Sequence, residues 1–198
     1  MDPAMRWTSA DLEVLPDNGK RYEIIDGELY VEQSPTYHHQ FACGRLYRYL
    51  DSWSEETRLG EANFGTGVIF ADDDDVIPDV VWTSRGRLSK ILGSDGHFHA
   101  APDLVVEVLS PGSANERRDR QTKLKLYSRR GVLEYWIVNW LLREITVYRR
   151  RGRGLKLQAT LRAADTLTSP LLPGFKCGVG QIFESFSRVE PPQGANGG

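Results

Sequence analysis

Short apolar runs alternate with polar turns along the chain, and their periods set the elements. RYEIIDGELYVEQS reads as two strands joined at Asp26-Gly27, a strong two-residue hairpin signal. From Tyr37 to Ser54, Phe41, Leu46, Tyr49, Leu50 and Trp53 recur at helical spacing and predict a helix with one buried face. ANFGTGVIFA and VIPDVVWTS read as strands on either side of the run Asp72 to Asp75. That run lacks the alternating ligands, central glycine and terminal glutamate of an EF-hand loop, so it reads as a solvated turn. Residues 84–101, rich in Gly, Ser and His, read as a mobile loop. PDLVVEVLS is a strand bounded by Pro102 and Pro111, and Ser113-Ala114-Asn115-Glu116 has the capping-box pattern of a helix that ends at Gly131. LEYWIVNW, REITVYRR and LKLQATL predict further strands, with Tyr135 and Trp136 in the core.

Hairpin, helix, strands, helix, strands is the order of an α/β or α+β domain with a mixed central β-sheet flanked by helices. No phosphate-binding glycine loop and no repeat is present. A single domain over 1–187 is expected, with 188–198 as a frayed tail.

Composition narrows this only slightly. At 198 residues, 40% hydrophobic and 26% charged, the chain is ordinary for a soluble globular protein. It has no apolar run of the roughly 20 residues that span a membrane and opens on no signal-peptide pattern, so a cytoplasmic setting without membrane contact is expected. Cys43 and Cys177 have no metal-type spacing and read as small buried hydrophobes. A net charge of −2 argues against non-specific coating of nucleic acid, although charge is segregated. Arg117, Arg118, Arg120, Lys123, Lys125, Arg129 and Arg130 crowd one segment, and Arg149 to Arg153 with Lys156 another; a solvated helix face and a hairpin turn explain both equally simply.

One letter breaks the apolar pattern in a way that demands chemistry. Glu107 stands in the middle of LVVEVL, where an ionised, unpaired carboxylate would cost several kcal/mol or take up a proton. Asp79, in IPDVVW, heads the preceding apolar strand 28 residues earlier. If those strands are neighbours, the two carboxylates meet at one end of the sheet. A hard divalent ion such as Mg²⁺ (or Mn²⁺), which prefers oxygen ligands, explains the pair best. In the following helix Asp119, Lys123 and Tyr127 are spaced four apart and share a face, with Glu116 or Arg120 at its edge. A lysine beside such a site can hold an attacking water; a plain surface ion pair between Asp119 and Lys123 explains the spacing too.

The ordered series IPDVVW, APDLVVEVLSPGS, Asp119-RQT-Lys123-LKL-Tyr127 and SRRGVLEYWIV resembles the Uma family of proposed restriction endonucleases, within the PD-(D/E)XK nuclease superfamily. The resemblance extends upstream through RYEIIDGELYVEQSPTYHHQ, with Glu23, Asp26-Gly27-Glu28 and His39, and downstream to SPLLPGF and Ile182-Phe183. It implies a restriction-endonuclease-like core and a Mg²⁺- or Mn²⁺-dependent endonuclease acting on DNA phosphodiesters. Asp79 and Glu107 match the two metal-binding acids, with the main-chain carbonyl of Val108 as a further ligand. The superfamily's lysine position, two after Glu107, holds Leu109. The resemblance moves the lysine to Lys123 on the helix, with Lys125 in reserve.

Several assignments stay open at this level. Glu23 is either an auxiliary carboxylate or a solvent-side residue of the hairpin, and His39 either assists the site or is a satisfied structural histidine. Tyr127 is an auxiliary candidate. Arg117, Arg118 and Arg120 are candidates for DNA phosphate contacts. His97 and His99 flank Phe98 as a weak metal pair. Cutting both strands of a duplex suits a homodimer. The competing expectation is a catalytically silent nucleic-acid- or partner-binding module that keeps the nuclease fold.

Overall fold

A computed structural model of the chain describes residues 6–32, 34–110 and 112–184, without the side chains of Ser113 and Ala114. The expected tail 188–198, the end of the expected domain and the Ser113 cap lie outside the described set.

After a four-residue helix α1 (Ser9–Leu12), strands β1 (Arg21–Ile25) and β2 (Glu28–Glu32) pair antiparallel with Ile25 opposite Glu28. Asp26 and Gly27 between them both take positive φ, 55° and 75°, the backbone of a two-residue type I′ turn. Helix α2 (Tyr37–Thr57) is entered through Thr36, whose hydroxyl accepts from the His39 N–H, and leaves through Arg58 in the left-handed region. Strands β3 (Gly60–Phe64), β4 (Val68–Ala71), β5 (Asp74–Val76) and β6 (Val80–Ser84) follow, then helix α3 (Arg85–Ile91) and strand β7 (Leu104–Val108). Helices α4 (Ser113–Arg117) and α5 (Leu124–Arg130) are joined by a π-helical segment, Arg118–Lys123, and Gly131 closes α5 at φ 97°. Strands β8 (Glu134–Asn139), β9 (Glu144–Arg151), β10 (Gly154–Leu161), β11 (Thr166–Ser169) and β12 (Leu172–Gly178) lead to α6 (Val179–Phe183).

The central sheet has six strands in the order β10-β9-β8-β7-β6-β3. Only β7 and β8 are parallel, as the crossover through α4 to α5 requires. Four further strands form an antiparallel sheet, β2-β1-β5-β4, and β11-β12 pair alone. Side chains of the central strands alternate between two apolar layers. Val80, Trp82, Leu104, Val106, Val108, Trp136 and Val138 face α2, where they meet Leu46, Leu50 and Trp53. Val81, Val105, Tyr135 and Ile137 face the other way, toward Leu126 and Tyr127 of α5 and Ile25, Val68 and Val76 of the small sheet. By that alternation Glu107 belongs to the second layer, beneath α5 and the small sheet.

Two expectations for this part of the chain need correction. The segment expected to be a mobile loop contains α3, and Phe98, buried at 4% exposure, bridges to Val68 and Leu92. The aspartate run is not a solvated turn at Asp74. That carboxylate is fully buried, accepting from Arg129 and Arg130 of α5 and from the Asp26 N–H. Its arginine partners lie 55 and 56 residues away, which is why local composition gave no sign of them.

Candidate metal-binding active site

Four carboxylates converge without solvent: Glu23 from β1, Asp79 just before β6, Glu107 from β7 and Asp119 from the π-helical segment are all buried. Lys123, at 1% exposure, lies among them, and buried Arg118 approaches Asp119 Oδ1 with its Nε at 3.8 Å. Its Nζ donates to Glu107 Oε1 at 3.0 Å and to Glu23 Oε1 at 3.0 Å. The Tyr127 hydroxyl donates to the same Glu107 oxygen at 2.6 Å. Asp79 is held from three sides: Oδ2 accepts from the Val108 N–H at 2.8 Å and lies 3.2 Å from His39 Nε2, while Arg21 Nη1 approaches Oδ1 at 3.5 Å. Glu23 also accepts from the Ile77 N–H at 2.8 Å, which ties the small sheet to the approach of β6.

Local structure explains why these side chains meet. Glu107 and Leu109 point to the same face of the strand, so a lysine two after Glu107 would have pointed into this layer. Leu109 is instead core, and the helix crossing the face supplies the ammonium. The π-helical turn places Arg118, Asp119 and Lys123 together against the sheet, a widening that an ordinary α-turn does not provide.

The electrostatics show a shortage of positive charge. Burial pushes Glu107 well above the usual carboxylate range; Lys123 opposes this, and Asp79, Asp119 and Glu23 add to it. Burial likewise pushes Asp119 up to about 7 against the charges of Lys123 and Arg118. Burial works against the Lys123 ammonium, but Glu107 and Glu23 hold it well above its ordinary value. Burial would also raise Asp79, yet His39, the Val108 N–H and Lys123 together override it and the carboxyl stays low. Lys123 and Arg118 thus face more acids than they can neutralise, and the shortfall weighs most on Glu107 and Asp119. Two carboxylate atoms, Glu23 Oε2 and Asp119 Oδ1, are buried without a hydrogen-bond partner. As ion-pair contacts, Glu23 Oε2 does lie 3.0 Å from Lys123 Nζ, and Asp119 Oδ1 lies 3.8 Å from Arg118 Nε. An oxygen-only set of this charge, with unused lone pairs, fits a hard divalent cation.

The remaining sequence candidates divide. Glu23 is buried in the cluster and is not a solvent-side residue. His39 is both structural, at the entrance of α2, and bonded to Asp79. Lys125 is exposed and lies with Asp26, Glu28 and Tyr30, away from the carboxylates. Arg118 is buried against Glu32 and over the Tyr30 ring, so its charge is already committed. Arg117 is exposed, and Arg120 lies 3.7 Å from Glu116. His97 and His99 both pair with Asp95 and stand apart from this site. A cleft of about 470 Å³ is lined by Glu32, Thr36, Ser110, Asn115 and Arg118 among others, and reaches the cluster through Arg118, which pairs with Asp119 at 3.8 Å. Sequence reasoning passed over Cys43, whose Sγ lies 3.6 Å from His39 Nδ1; the signal was the four-residue spacing of the two on one helix.

Among the described residues no helix is long and apolar enough to cross a membrane. No curated protein of known function matches the chain. Among solved structures, a putative nuclease of the DUF820 group from Anabaena variabilis superposes with a TM-score of 0.70 at 17% identity, covering 89% of this chain and 97% of that one. The likeness establishes a shared fold. The family model described as Uma2, putative restriction endonuclease, matches residues 9–180, a span that holds all four buried carboxylates and Lys123, and the chain therefore belongs to the Uma2 family.

Proposed function

We propose that the protein is a divalent-cation-dependent endonuclease that hydrolyses DNA phosphodiester bonds, with Mg²⁺ or Mn²⁺ as its ion. One observation carries this reading: Lys123, delivered by the helix, meets the same buried Glu107 that the strand presents, at 3.0 Å. Asp79, Glu107 and the Val108 main-chain carbonyl would hold the ion. When bound, such an ion polarises phosphoryl oxygens and makes water acidic enough to attack at neutral pH. In the hydrolysis the water oxygen would bond to phosphorus as one ester P–O bond breaks, and the proton that the water gives up would end on the departing oxygen. Lys123 would hold the attacking oxygen and offset charge on the phosphoryl oxygens. Glu23 and Tyr127 orient Lys123 and Glu107, and exposed Arg117 with Arg120 suits the backbone phosphates beside the cleft.

The test is nicking of supercoiled plasmid with Mg²⁺ or Mn²⁺, with chelator, and in Glu107→Gln and Lys123→Met. Expected is chelator-sensitive nicking, reduced about 10²–10³-fold in either variant, the range for losing one transition-state contact. Wild-type protein inert with both ions on double-stranded, single-stranded and branched DNA would overturn it. A second reading has its own support: Lys123 and Arg118 are both committed to buried acids, as in a silent binding module. DNA retention without cleavage, unchanged by chelator, would select it.

A further inference from the structure

His39 and Cys43 lie one turn apart on the first two turns of α2, on the face turned to the sheet. Both are buried, and so is Asp79 opposite them. One ligand atom from each of the three residues can be chosen such that all lie within 4.8 Å of one another. His39 Nε2 is 3.2 Å from Asp79 Oδ2, and His39 Nδ1 is 3.6 Å from Cys43 Sγ. Around a tetrahedral zinc ion, bonds of about 2.0–2.3 Å put neighbouring ligand atoms roughly 3.4–3.8 Å apart. The two contacts use different ring nitrogens and an ion takes only one of them, so one contact is given up on binding; contraction of the set that lies within 4.8 Å by about an ångström then makes three ligands. The donor set is also selective. A thiol sulfur and an imidazole nitrogen suit a borderline ion such as Zn²⁺ and are poor partners for Mg²⁺, which prefers oxygen.

We propose that His39, Cys43 and Asp79 form a three-ligand site for a zinc-type divalent ion, separate from the oxygen-only position beside Glu107. Binding exchanges the Cys43 thiol proton, released to solvent, for the ion, as metal contact does for thiols generally. Burial keeps that thiol well above its ordinary value in the absence of an ion, so it is a structural thiol until an ion arrives. The site shares Asp79 with the proposed catalytic ion, and on that reading zinc draws a ligand from the nuclease centre and opposes Mg²⁺.

Cobalt(II), a spectroscopic stand-in for zinc, tests the site on the full chain without reference to DNA cleavage. Expected is one tetrahedral cobalt per chain, with visible bands and a sulfur-to-cobalt charge-transfer band. Zn²⁺ should bleach both, and excess Mg²⁺ should not. Cys43→Ala should remove the charge-transfer band and weaken cobalt binding by more than about 100-fold, beyond the loss typical of an outer-shell partner. Cys43→Ser, closer in volume, replaces it in the same measurement if the alanine variant does not fold. Cys177→Ala, at the other thiol, and Glu107→Gln, at the oxygen-only position, should both keep the band. A wild-type protein without the band, a band that survives loss of Cys43, or one that disappears in Cys177→Ala or Glu107→Gln overturns the proposal. If plasmid is nicked, Zn²⁺ should slow it in wild type and not in Cys43→Ser; a protein that never nicks leaves the cobalt result intact, so the two readings fail separately.

Discussion

Lys123 shows at the residue scale how one side chain serves both stability and chemistry. Its ammonium is fully buried and bonded to Glu107 and Glu23. Replacing it by Met leaves acids with no counter-charge, and breaking such a buried pair costs about 3–5 kcal/mol. Lys123→Met should lose that much in chemical denaturation, and adding Glu107→Gln should recover part of it, since a neutral amide needs no partner. Additive losses in the double variant would mean that the two groups are not coupled. Asp119 allows a pH test. Its folded-state value of about 7 lies above the ordinary value of 3.8, so the native state keeps a proton that the unfolded chain has released. Its contribution is therefore greatest below about pH 4 and declines as pH rises toward 7, by up to about 1.4 kcal/mol per unit. In chelated buffer, Asp119→Asn should gain about 1–3 kcal/mol relative to wild type between pH 5 and 8. A constant difference over that range would mean that Asp119 titrates normally.

The elements decide which of these residues could be foreseen. Glu107 and Asp79 were legible because a carboxylate in an apolar β-branched run contradicts its surroundings. Glu23 stayed open between an auxiliary and a solvent-side role, because period-2 alternation in a hairpin suggests one wet face. Here β1 lies between β2 and β5, with Glu23, Ile24 and Ile25 all buried. The spacing of Asp119, Lys123 and Tyr127 was visible, but the π-helical turn that brings Arg118 to the same side follows from tertiary packing. Helix α3 was hidden behind Gly86 and Ser89, weak helix formers, although Leu88 and Ile91 pack inward. Asp74 was misread for a related reason: its arginines sit on α5. That network joins the small sheet, which carries Glu23, to the helix that follows Lys123. Burial would raise Asp74, but Arg129, the Asp26 N–H and Arg130 hold it below the usual carboxylate range. Its stabilisation is present above the unfolded value and is lost as pH falls through the lower folded one. Arg129 and Arg130 are 38% and 29% exposed, so solvent screening discounts the pair. Asp74→Asn should cost about 2–3 kcal/mol at pH 7, less than a fully buried pair, with the deficit closing in acid. A loss that is the same at pH 3 and pH 7 would assign the effect to packing.

Across the whole molecule, the carboxylate cluster lies where two sheets and the α4–α5 crossover meet. Glu23 comes from the small sheet, Asp79 and Glu107 from the central one, and Asp119 with Lys123 from the crossover. An ion on Asp79 and Glu107 would couple through Lys123 and Glu23 three parts of the fold that also meet through apolar packing, the Asp74 network and the Arg118–Glu32 pair. Ligand binding to the native state alone stabilises by about 2.7 kcal/mol at a hundred times its dissociation constant. That stabilisation reaches an amide only through openings that break the site, so protection from hydrogen exchange should be regional. Saturating Mn²⁺ should slow exchange in β1, β7 and residues 118–130. It should leave the outer end of the β9–β10 hairpin unchanged, since those residues pair at the sheet's far edge and contribute no ligand. Glu107→Gln should abolish the protection in all three segments together. Protection confined to β7 would mean that an ion on Asp79 and Glu107 is not coupled through Lys123 to Glu23 and the crossover.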